Sequence, residues 1–580
     1  MIMKKFLALF LAVSISVFAF GQWVSPGNGS YYNLSSLCLT AYPAVSSPQS
    51  GTFQIHQNIT ISANDILCLE SSNQEIMVDD NVTITIIGSL ITATRTNQLL
   101  FSGDSTGTSF FELLLDQAST TNLSHVHFQY GDQILLFNPS HVVFDSCEFN
   151  GFSNSAINYM NCNPTIQNCY FHDNQKAAIT SAVNTAGSPK ILSNYFYNND
   201  LSNANVPQIN IGPGAEDTII IADNHIQGVA QSMSGGIGIM NMGASNTVLR
   251  VKGNVIENNR YGYTQNGTNI YAIIEDNIIR NNNLETNPNN GGSGISIYGS
   301  TTSCAAKIRR NLIHGNLWGI TAIYNHNIDM GTAEDPGGNV LYNNGNNNVD
   351  YELYNNSSCH MSAIGNYWGN NDSSHAEDVI YHQADNSSYG LVTYNPIMEL
   401  YPDILDFRIL LSNNPQITNV NEDLVFFFSD SDTLYYSSAW LISDLSAVVP
   451  TITIPLGVSC TPSPEDIVNL WNAVTYTLTT PHGTSKDWVV VLYLGDGITE
   501  LSEIPVSVVQ NPVSNGILSI RNESGKNMQV EVYSTTGQKL YQIQCADEML
   551  NIPTNCWNDG MYLVRVSQEK KSKMFKVLVF

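Results

Sequence analysis

One short hydrophobic pattern recurs along the middle of the chain. Each copy has an apolar residue, two variable residues, an Asn or Cys, one variable residue and a second apolar residue, as in residues 221–226. The Asn or Cys positions are Cys147, Cys169, Asn194, Asn224, Asn254, Asn277 and Asn311, and looser copies centre on Asn339 and Asn366. Subtracting successive positions gives spacings of 22, 25, 30, 30, 23, 34, 28 and 27 residues, a period typical of a stacked repeat.

The pattern within each copy predicts strands rather than helices. β-Branched and aromatic residues alternate with polar ones, and Asn and Gly follow them. One turn of a parallel β-helix takes about this many residues, and its coils stack about 4.8 Å apart. We therefore predict that the recurring Asn side chains form a buried ladder, bonded to turn backbone and to one another. Cys147 and Cys169 are predicted to be small, buried members of the same ladder, with free thiols.

The segments on either side of the repeat have different patterns. Residues 1–21 have a basic start followed by an apolar run, which is typical of a cleaved signal peptide. Residues 22–400 are assigned to the β-helix, and short alternating segments in residues 403–498 predict a small β-sandwich. Residues 503–580 form a further small β-domain. We find no later segment that is long and apolar enough to span a bilayer.

Composition narrows the classes of function. Charged residues make up 12% of the chain and the net charge is −27, which argues against nucleic acid and anionic membranes as partners. The ten cysteines show no metal-binding spacing, and the pairs Cys38–Cys68 and Cys545–Cys556 are open as disulfides in an oxidising compartment. No cofactor site is evident. Binding of Ca²⁺ stays open, although the Asn- and Asp-rich runs lack the regular spacing of calcium-binding repeats.

The end of the repeat resembles a known family. Ile-Gly-Asn-Tyr-Trp-Gly at residues 364–369 and Leu-Val-Thr-Tyr-Asn-Pro at residues 391–396 resemble the terminal segment of many secreted right-handed parallel β-helix proteins of the pectate-lyase-like superfamily. The resemblance implies a right-handed β-helix. It leaves the function open, because that superfamily includes lyases, hydrolases, epimerases, adhesins and inert scaffolds.

Two further resemblances concern the C-terminal third. Residues 475–490 resemble immunoglobulin-like modules of Bacteroidetes surface proteins. The type A C-terminal sorting domain of the Bacteroidetes type IX secretion system is similar to four blocks of this chain: residues 511–516, 530–538, 560–566 and 573–580. This similarity implies that residues 503–580 engage the type IX machinery and that the protein passes through the periplasm to the medium or the outer surface. The sequence therefore predicts an all-β protein: a right-handed parallel β-helix, an immunoglobulin-like β-sandwich and a small C-terminal β-sandwich sorting domain.

Basic residues are rare in the β-helix and cluster in one part of it. Residues 23–400 contain ten Lys and Arg: Arg95, Lys176, Lys190, Arg250, Lys252, Arg260, Arg280, Lys307, Arg309 and Arg310. The last seven lie on consecutive coils. Counting from the ladder positions, we expect one outward face to be shared by Arg250, Lys252, Glu275, Lys307 and Arg309. A second outward strip, three residues after each ladder position, contains Asn150, His172, Tyr197, Gln227, Glu257, Arg280, His314 and Tyr342.

These strips supply the candidate site residues. The candidates for catalysis are Lys252, Glu275, Lys307, Arg309 and His314. The candidates for ligand binding are Arg250, Tyr197, Glu257, Arg280 and Tyr342. In one interpretation the basic patch binds an acidic polysaccharide, with Arg or Lys neutralising a uronate carboxylate and acting as the base at C5. In the other, Glu275 between cations forms a charge ladder that only solvates the face.

Three functions fit the sequence. In the first, the protein is a secreted or surface-attached β-helix that binds polysaccharide or serves as adhesin or scaffold. In the second, it is a polysaccharide lyase or glycoside hydrolase. In the third, it is a structural surface-layer or matrix protein. We favour the first, because no set of catalytic residues has the spacing of a known motif.

Overall fold

A computed structural model describes residues 22–70, 74–93, 97–106, 110–117, 120–418, 420–429, 431–438, 442, 444–494, 504–513, 516–534, 538–558, 560–568 and 571–580. The predicted signal peptide and Arg95 lie outside them. The described chain is nearly all β-structure, with two α-helices, Leu34–Thr40 and Ser373–Val379, and a 3-10 turn at Leu411–Asn413. The first helix begins at Asn33, whose side chain accepts from the Ser36 N–H at 2.8 Å, and it belongs to the predicted N-terminal cap.

Three long sheets, built by parallel pairing of 14 strands each, form the β-helix. The first sheet contains, in spatial order, Trp23–Val24, Ile59–Ile61, Thr83–Ile86, Phe111–Asp116, Gly131–Phe137, Ile157–Met160, Ile179–Ser181, Pro207–Ile211, Gly235–Asn241, Tyr263–Gly267, Ser293–Gly299, Trp318–Tyr324, Leu353–Asn356 and Ile380–Tyr381. The second contains Val45–Gln49, Thr52–Ile55, Glu75–Val78, Leu99–Ser102, Val126–Gln129, Glu148–Asn150, Tyr170–His172, Tyr195–Tyr197, His225–Gln227, Val255–Glu257, Ile278–Arg280, Leu312–His314, Val340–Tyr342 and Tyr367–Trp368; its first pair is an antiparallel hairpin. The third contains Tyr31–Tyr32, Ile66–Leu69, Ser89–Thr92, Thr120–Ser124, Val142–Asp145, Thr165–Gln167, Lys190–Leu192, Ile219–Ala222, Thr247–Lys252, Ile270–Glu275, Cys304–Arg309, Asn327–Asp329, Met361–Ser362 and Val392–Thr393.

The chain divides into two compact units. The first comprises Met1–Lys307, Gly315–Asn327 and Asn356–Cys359, and is described from Gln22 onward. The second comprises Ile308–His314, Ile328–Asn355 and His360–Phe580, and it includes a short hairpin of Gly345–Asn346 and Val349–Asp350.

The strand register of the first unit confirms the placement of the outward strip on the third sheet. Asp145 pairs with Gln167, and the same line continues through Leu192, Ala222, Lys252 and Glu275. The inward positions are apolar and fully buried. On the second sheet they form a column of stacked rings, with centroids 4.5–5.4 Å apart, made by Phe128, Phe149, Phe171 and Phe196.

The predicted asparagine ladder is confirmed. The backbone N–H and the side-chain amide of Asn224 both donate to Oδ1 of Asn254, at 3.0 and 2.9 Å. Asn254 donates to Asn277 in the same way, at 2.9 Å for each bond. Its amide also donates to the carbonyl of Ile221 at 2.9 Å. Each buried asparagine therefore satisfies backbone of one coil and the side chain of the next.

Every ladder residue follows a residue in the left-handed backbone region. The φ angle directly before the ladder position is +54° at Ser193, +56° at Asp223 and +66° at Gly253. This bend joins a strand of the third sheet to a strand of the second. Because Gly, Asn and Asp enter this region at the lowest cost, small and polar residues occupy most of these positions.

A second asparagine ladder, which the sequence analysis did not predict, follows the bend at the other end of the second sheet. Asn174 donates to Asn199 at 2.7 Å, and Asn199 donates to Gln208 at 2.9 Å. Gln208 then donates to Asn259 at 2.9 Å, so it bridges the coil that has Val229 at this position. The buried members are Asn174, Asn199, Asn259, Asn282, Asn316 and Asn344.

Glu352 closes the second ladder within the second unit. Its carboxyl group accepts from the backbone N–H and the amide of Asn344, at 3.2 and 2.5 Å. Burial raises the pKa of Glu352 to about 8, against the lowering effect of these two hydrogen bonds.

All ten cysteines are free thiols. Cys147 and Cys169 are buried, and the Cys169 N–H donates to Asn194 Oδ1 at 2.8 Å, so their predicted place in the ladder is confirmed. The pairings that the sequence left open are not formed, and this concerns Cys38, Cys68, Cys545 and Cys556.

Two smaller β-domains follow the β-helix in the second unit. The first has a sheet in the order Leu424–Val425, Asp406–Ile409 and Thr451–Thr453, and a sheet in the order Phe427–Phe428, Thr433–Ser438, Ser485–Leu494, Val474–Thr479 and Ser459–Thr461. One buried apolar core includes Phe407, Tyr476 and Trp488. Two sheets and one core agree with the predicted sandwich; the immunoglobulin-like assignment stays a prediction.

The last domain has its own two sheets and core. The three-stranded sheet has the order Val506–Val508, Ile517–Asn522 and Met549–Pro553. The four-stranded sheet has the order Lys539–Cys545, Met528–Ser534, Gly560–Gln568 and Lys571–Val579. It packs on the preceding domain through a small apolar cluster of Leu405, Tyr533 and Leu563. Lys576 Nζ also donates to the mostly buried Asp406 Oδ2 at 2.8 Å.

We expect Asn254→Ala to lower the free energy of unfolding by about 3 kcal/mol or more, since it leaves buried partners on Asn224 and Ile221 unsatisfied. Urea unfolding followed by circular dichroism measures this. The matched control is Asn122→Ala, at an exposed position of a third-sheet strand, which should change the free energy by less than about 0.5 kcal/mol. Equal midpoints for the two variants would contradict the proposed role of the ladder.

Candidate functional site

The outward surface of the second sheet in the first unit carries two parallel rows of polar and aromatic residues. The row at the first strand position contains His127, Glu148, Tyr170, Tyr195 and His225. The row at the third strand position contains Asn150, His172, Tyr197, Gln227, Glu257 and Arg280. We call these eleven residues the tyrosine–histidine face. The second row is the strip that the sequence predicted, and its register is confirmed from Asn150 to Arg280.

Aromatic rings in the middle of the face stack on one another along the sheet. Tyr170 and Tyr195 have centroids 5.2 Å apart and planes within 8°, and the His225 ring lies 4.9 Å beyond Tyr195. His172 stacks on Tyr170 at 4.2 Å, whereas Tyr197 is tilted by 46° from Tyr195. Each side chain is held by its neighbours, so the row presents ring edges, hydroxyl groups and imidazole nitrogens in fixed positions.

Glu148 forms one end of the face with two histidines. Its Oε1 lies 3.2 Å from His172 Nε2 and 3.5 Å from His127 Nε2. The other nitrogen of His172 lies 2.9 Å from Asp173 Oδ2, so this imidazole stands between two carboxylates. Burial alone would raise the pKa of Glu148, but the hydrogen bond from His172 and the charge of His127 hold that pKa below its ordinary value.

Glu257 forms the other end. Its Oε1 lies 2.7 Å from His225 Nε2, and Arg280 Nε donates to its Oε2 at 2.7 Å. Glu257 is buried, while the histidine and arginine side chains are each 41% exposed. Burial again opposes ionisation, but the bonds from His225 and Arg280 outweigh it and lower the pKa of Glu257. The carboxylate therefore orients both partners toward solvent.

Two of the residues predicted to form a basic patch on the third sheet, Arg250 and Lys252, lie in ion pairs. Arg250 Nε donates to the buried Glu275 Oε1 at 2.6 Å. Lys252 Nζ lies 3.7 Å from Asp276 Oδ2. Lys307 lies half-buried on the strand Cys304–Arg309. For Arg250 and Lys252 the structure thus agrees with the charge-ladder interpretation more than with a patch of unengaged cations.

The expectation that Arg309 lies on an open outward face is wrong. The side chain is 2% exposed, because the excursion that follows residue 328 places two carboxylates around it. Arg309 Nη2 lies 2.7 Å from Asp329 Oδ2 and 2.9 Å from Asp335 Oδ2, and Nη1 donates to the Asp329 carbonyl at 2.9 Å. Arg309 holds this loop and is not presented to a ligand.

His314 and Tyr342, like Arg309, lie in the second unit. Their rings stack at 4.8 Å with planes within 4°, on adjacent strands of the second sheet. The predicted pairing of these two positions is therefore confirmed.

Sequence reasoning missed half of the face. It followed the positions two and four before and three after each ladder residue, but not the position directly after it, where Glu148, Tyr170, Tyr195 and His225 lie. The signal was present, because strand alternation makes positions one and three after the ladder residue share a face.

We also searched the described residues for depressions, metal-binding clusters and membrane-spanning helices. Two open depressions of about 510 and 560 Å³ lie in the first unit, lined by acidic residues that include Asp79, Asp104, Glu112 and Asp132. Neither contains a predicted site residue. Within the described part of the chain, no group of three or more His, Cys, Asp or Glu residues is arranged to hold a metal ion. No helix among the described residues is long and apolar enough to cross a membrane.

Family comparisons agree with this architecture. Residues 50–204 match the family described as right handed beta helix region, and residues 510–580 match the secretion system C-terminal sorting domain. Residues 264–374 match a family of proteins of unknown function, DUF1565. No curated protein matches the chain. The fold is a parallel β-helix, and the match over residues 510–580 indicates a secreted or surface-attached protein.

Solved structures give only distant likenesses. A mutant of the periplasmic alginate epimerase AlgG has 13% identity and a TM-score of 0.42, over 64% of this chain and 84% of that one. A mutant tailspike protein of E. coli bacteriophage HK620, in complex with a pentasaccharide, has 11% identity and a TM-score of 0.27, over 75% and 86% of the two chains. With TM-scores this low, neither likeness defines a function for this chain.

We expect the stability that Glu257 confers to depend on pH. Its folded-state pKa lies below the ordinary 4.5, so the contribution is fully present above about pH 4.5 and is lost as the pH falls through the folded-state value. Glu257→Gln should lower the free energy of unfolding by about 1 kcal/mol at pH 7, since its partners are partly exposed, and by progressively less below pH 4.5.

Urea unfolding of both proteins between pH 7 and pH 3 measures this difference. Glu216→Gln, at an exposed turn position, serves as the matched control and should show no such pH-dependent difference. A wild-type advantage over Glu257→Gln that stays constant down to pH 3 would rule out the assigned role of the carboxylate.

Proposed function

We propose that the protein is an exported polysaccharide-binding protein and that the tyrosine–histidine face is its binding surface. The observation that carries this proposal is the run of stacked, half-exposed rings from Tyr170 to His225, bordered by Glu148 and Glu257. Aromatic side chains combine apolar contact area with polar edges, and both suit a sugar ring with its hydroxyl groups. The row is held in place before any ligand arrives, so little side-chain entropy is lost on binding.

The shape of the face favours a linear ligand. Successive strands of a sheet lie about 4.8 Å apart, and the face offers a new pair of side chains at each step. From Glu148 to the strand that carries Glu257 there are four steps, about 19 Å. A polysaccharide laid along the sheet would meet equivalent groups repeatedly, as an adhesin or matrix-binding protein requires.

The same distance argues against glycoside hydrolysis by the two glutamates of the face. A pair of catalytic carboxylates is about 5 to 9.5 Å apart in glycosidases, and about 19 Å is far beyond that range. The lyase alternative depended on a basic patch, whose Arg309 is buried and whose Arg250 is engaged by Glu275. Binding without chemistry is therefore better supported than a lyase or hydrolase.

Export follows from the C-terminal domain. We propose that residues 503–580 are recognised by the type IX machinery of a Bacteroidetes bacterium after passage into the periplasm, and that the β-helix is displayed on the surface or released.

The binding proposal predicts that Tyr195→Ala weakens polysaccharide binding by about tenfold, equal to about 1.4 kcal/mol, because the ring and its hydroxyl lie at the centre of the row. Affinity electrophoresis of the mature chain in gels that contain soluble polysaccharides, with and without calcium, measures the change.

Tyr271→Ala provides a matched control, because Tyr271 is also accessible to solvent, at 43% exposure, but lies on the outward side of the third sheet. It should bind as the wild type does. Equal weakening by both substitutions, or by neither, would remove the face as the binding surface.

The export proposal predicts that a chain lacking residues 510–580 accumulates in the periplasm of a host with a type IX system. Cell fractionation and immunoblotting locate the protein, and protease resistance of the periplasmic form shows that it is folded. Surface display or release of the truncated chain at the level of the full chain would refute the role of this domain.

A further inference from the structure

We infer that the tyrosine–histidine face binds an uncharged polysaccharide rather than a polyuronate, an inference that rests on the proposed function. The sequence alone pointed to an acidic ligand, because basic residues cluster between residues 250 and 310. The structure shows how those cations are engaged, and this reverses the expectation.

Three basic residues of the first unit bind other parts of the protein. Arg250 is bonded to Glu275, and Lys252 lies beside Asp276. Arg260 Nε donates to the Asn290 carbonyl at 2.8 Å, and its Nη1 contacts Asn205, so it joins two loops. Both Arg250 and Lys252 are also on the third sheet, whereas the face belongs to the second. A uronate would have to displace an existing protein partner to gain any of these charges.

Arg280 is the one arginine of the face, and it is engaged as well. Glu257 holds it at 2.7 Å from a buried position. The other lysines among the described residues of the first unit are Lys176 and Lys190, which are exposed, and Lys307, which is half-buried. Lys190 and Lys307 lie on third-sheet strands, away from the face. Arg280 therefore neutralises a carboxylate of the protein and is not set up to neutralise one of a ligand.

The acidic groups of the face are engaged in the same way. Glu148 contacts His172 and His127, and Asp173 accepts from His172 and, at 2.5 Å, from the Asn198 amide. These carboxylates add negative potential that repels a polyanion, and the net charge of −27 acts in the same direction. Since they already have hydrogen-bond donors, they offer little to a cationic sugar either.

The groups that remain to meet a ligand are neutral donors and acceptors. The hydroxyl groups of Tyr170 and Tyr197 and the Gln227 amide suit hydroxyl groups of a sugar. Asn150 Oδ1 already lies 2.7 Å from His127 Nε2, and both ring nitrogens of His172 lie beside carboxylates, so these groups contribute less. Tyr195 already donates to Gln227 Oε1 at 2.9 Å, which orients that amide. Uncharged hydrogen bonding alongside aromatic contact is the chemistry of a neutral polysaccharide site.

The test compares two ligand classes on the mature full chain at 10 mM and 150 mM salt. Isothermal titration with galactomannan and mixed-linkage β-glucan represents neutral chains, and alginate and polygalacturonate represent polyuronates. We expect binding of at least one neutral chain, about tenfold weaker in Tyr195→Ala and unchanged in Tyr271→Ala. We expect at least tenfold weaker binding of the polyuronates, with the largest gap at 10 mM salt, where charge repulsion is least screened.

A charge-removal variant sharpens the test. Glu148→Gln takes away one negative charge and should raise the affinity for polyuronates several-fold, because repulsion at that end of the face falls. Polyuronate binding that exceeds neutral binding and is lost in Tyr195→Ala would overturn the inference while leaving the proposed function intact. Failure of all four polysaccharides to bind would overturn the proposed function and the inference with it.

Discussion

The fold depends on one local arrangement: an asparagine placed directly after a residue with positive φ. The left-handed residue turns the chain from one sheet into the next, and such a bend leaves backbone groups inside the core without strand partners. The asparagine after it supplies the missing partners, as Asn254 does for Asn224 and Ile221. Because the amide also bonds to its counterpart on the next coil, each bend is tied to the one beside it. The second ladder repeats this at the other end of the second sheet, so both ends of that sheet are fixed.

The two ladders determine how the side chains of the tyrosine–histidine face are aligned. A sheet held at both ends keeps its strands in strict register, and strict register places like positions above one another. Tyr170 and Tyr195 stack only because their strands are paired one to one. The same register pairs Glu257 with Gln227 and Arg280, and it brings His225 within reach of Glu257 diagonally. The inward asparagines thus determine the outward chemistry, although they are themselves buried.

The sequence predicted the features that depend on the repeat period. It did not predict features that depend on the direction of a side chain or on the path of a loop. The β-helix, the buried asparagines and the second row of the face follow from a spacing that can be counted. The second ladder was missed because its asparagines, such as Asn199, lie five residues after the first set, in segments that read as turns. Arg309 was misplaced for another reason. Register shows that it points away from the core, but only the path of residues 329–335 shows that a loop covers it.

Charge is the property for which residue counts and the contacts in the structure favour different proposals. A cluster of Lys and Arg in an acidic chain suggests a site for an anion, because basic residues are rare in this chain and their clustering is therefore notable. In this chain the small number of Lys and Arg residues has a different consequence. With 22 Lys and Arg against 49 Asp and Glu, cations are the limiting partner for carboxylates. Arg250, Arg280 and Arg309 each stabilise a carboxylate at or beneath the surface, where an unpaired anion would be destabilising. Under the proposed function, recognition then depends on uncharged groups, above all the tyrosines and histidines of the tyrosine–histidine face.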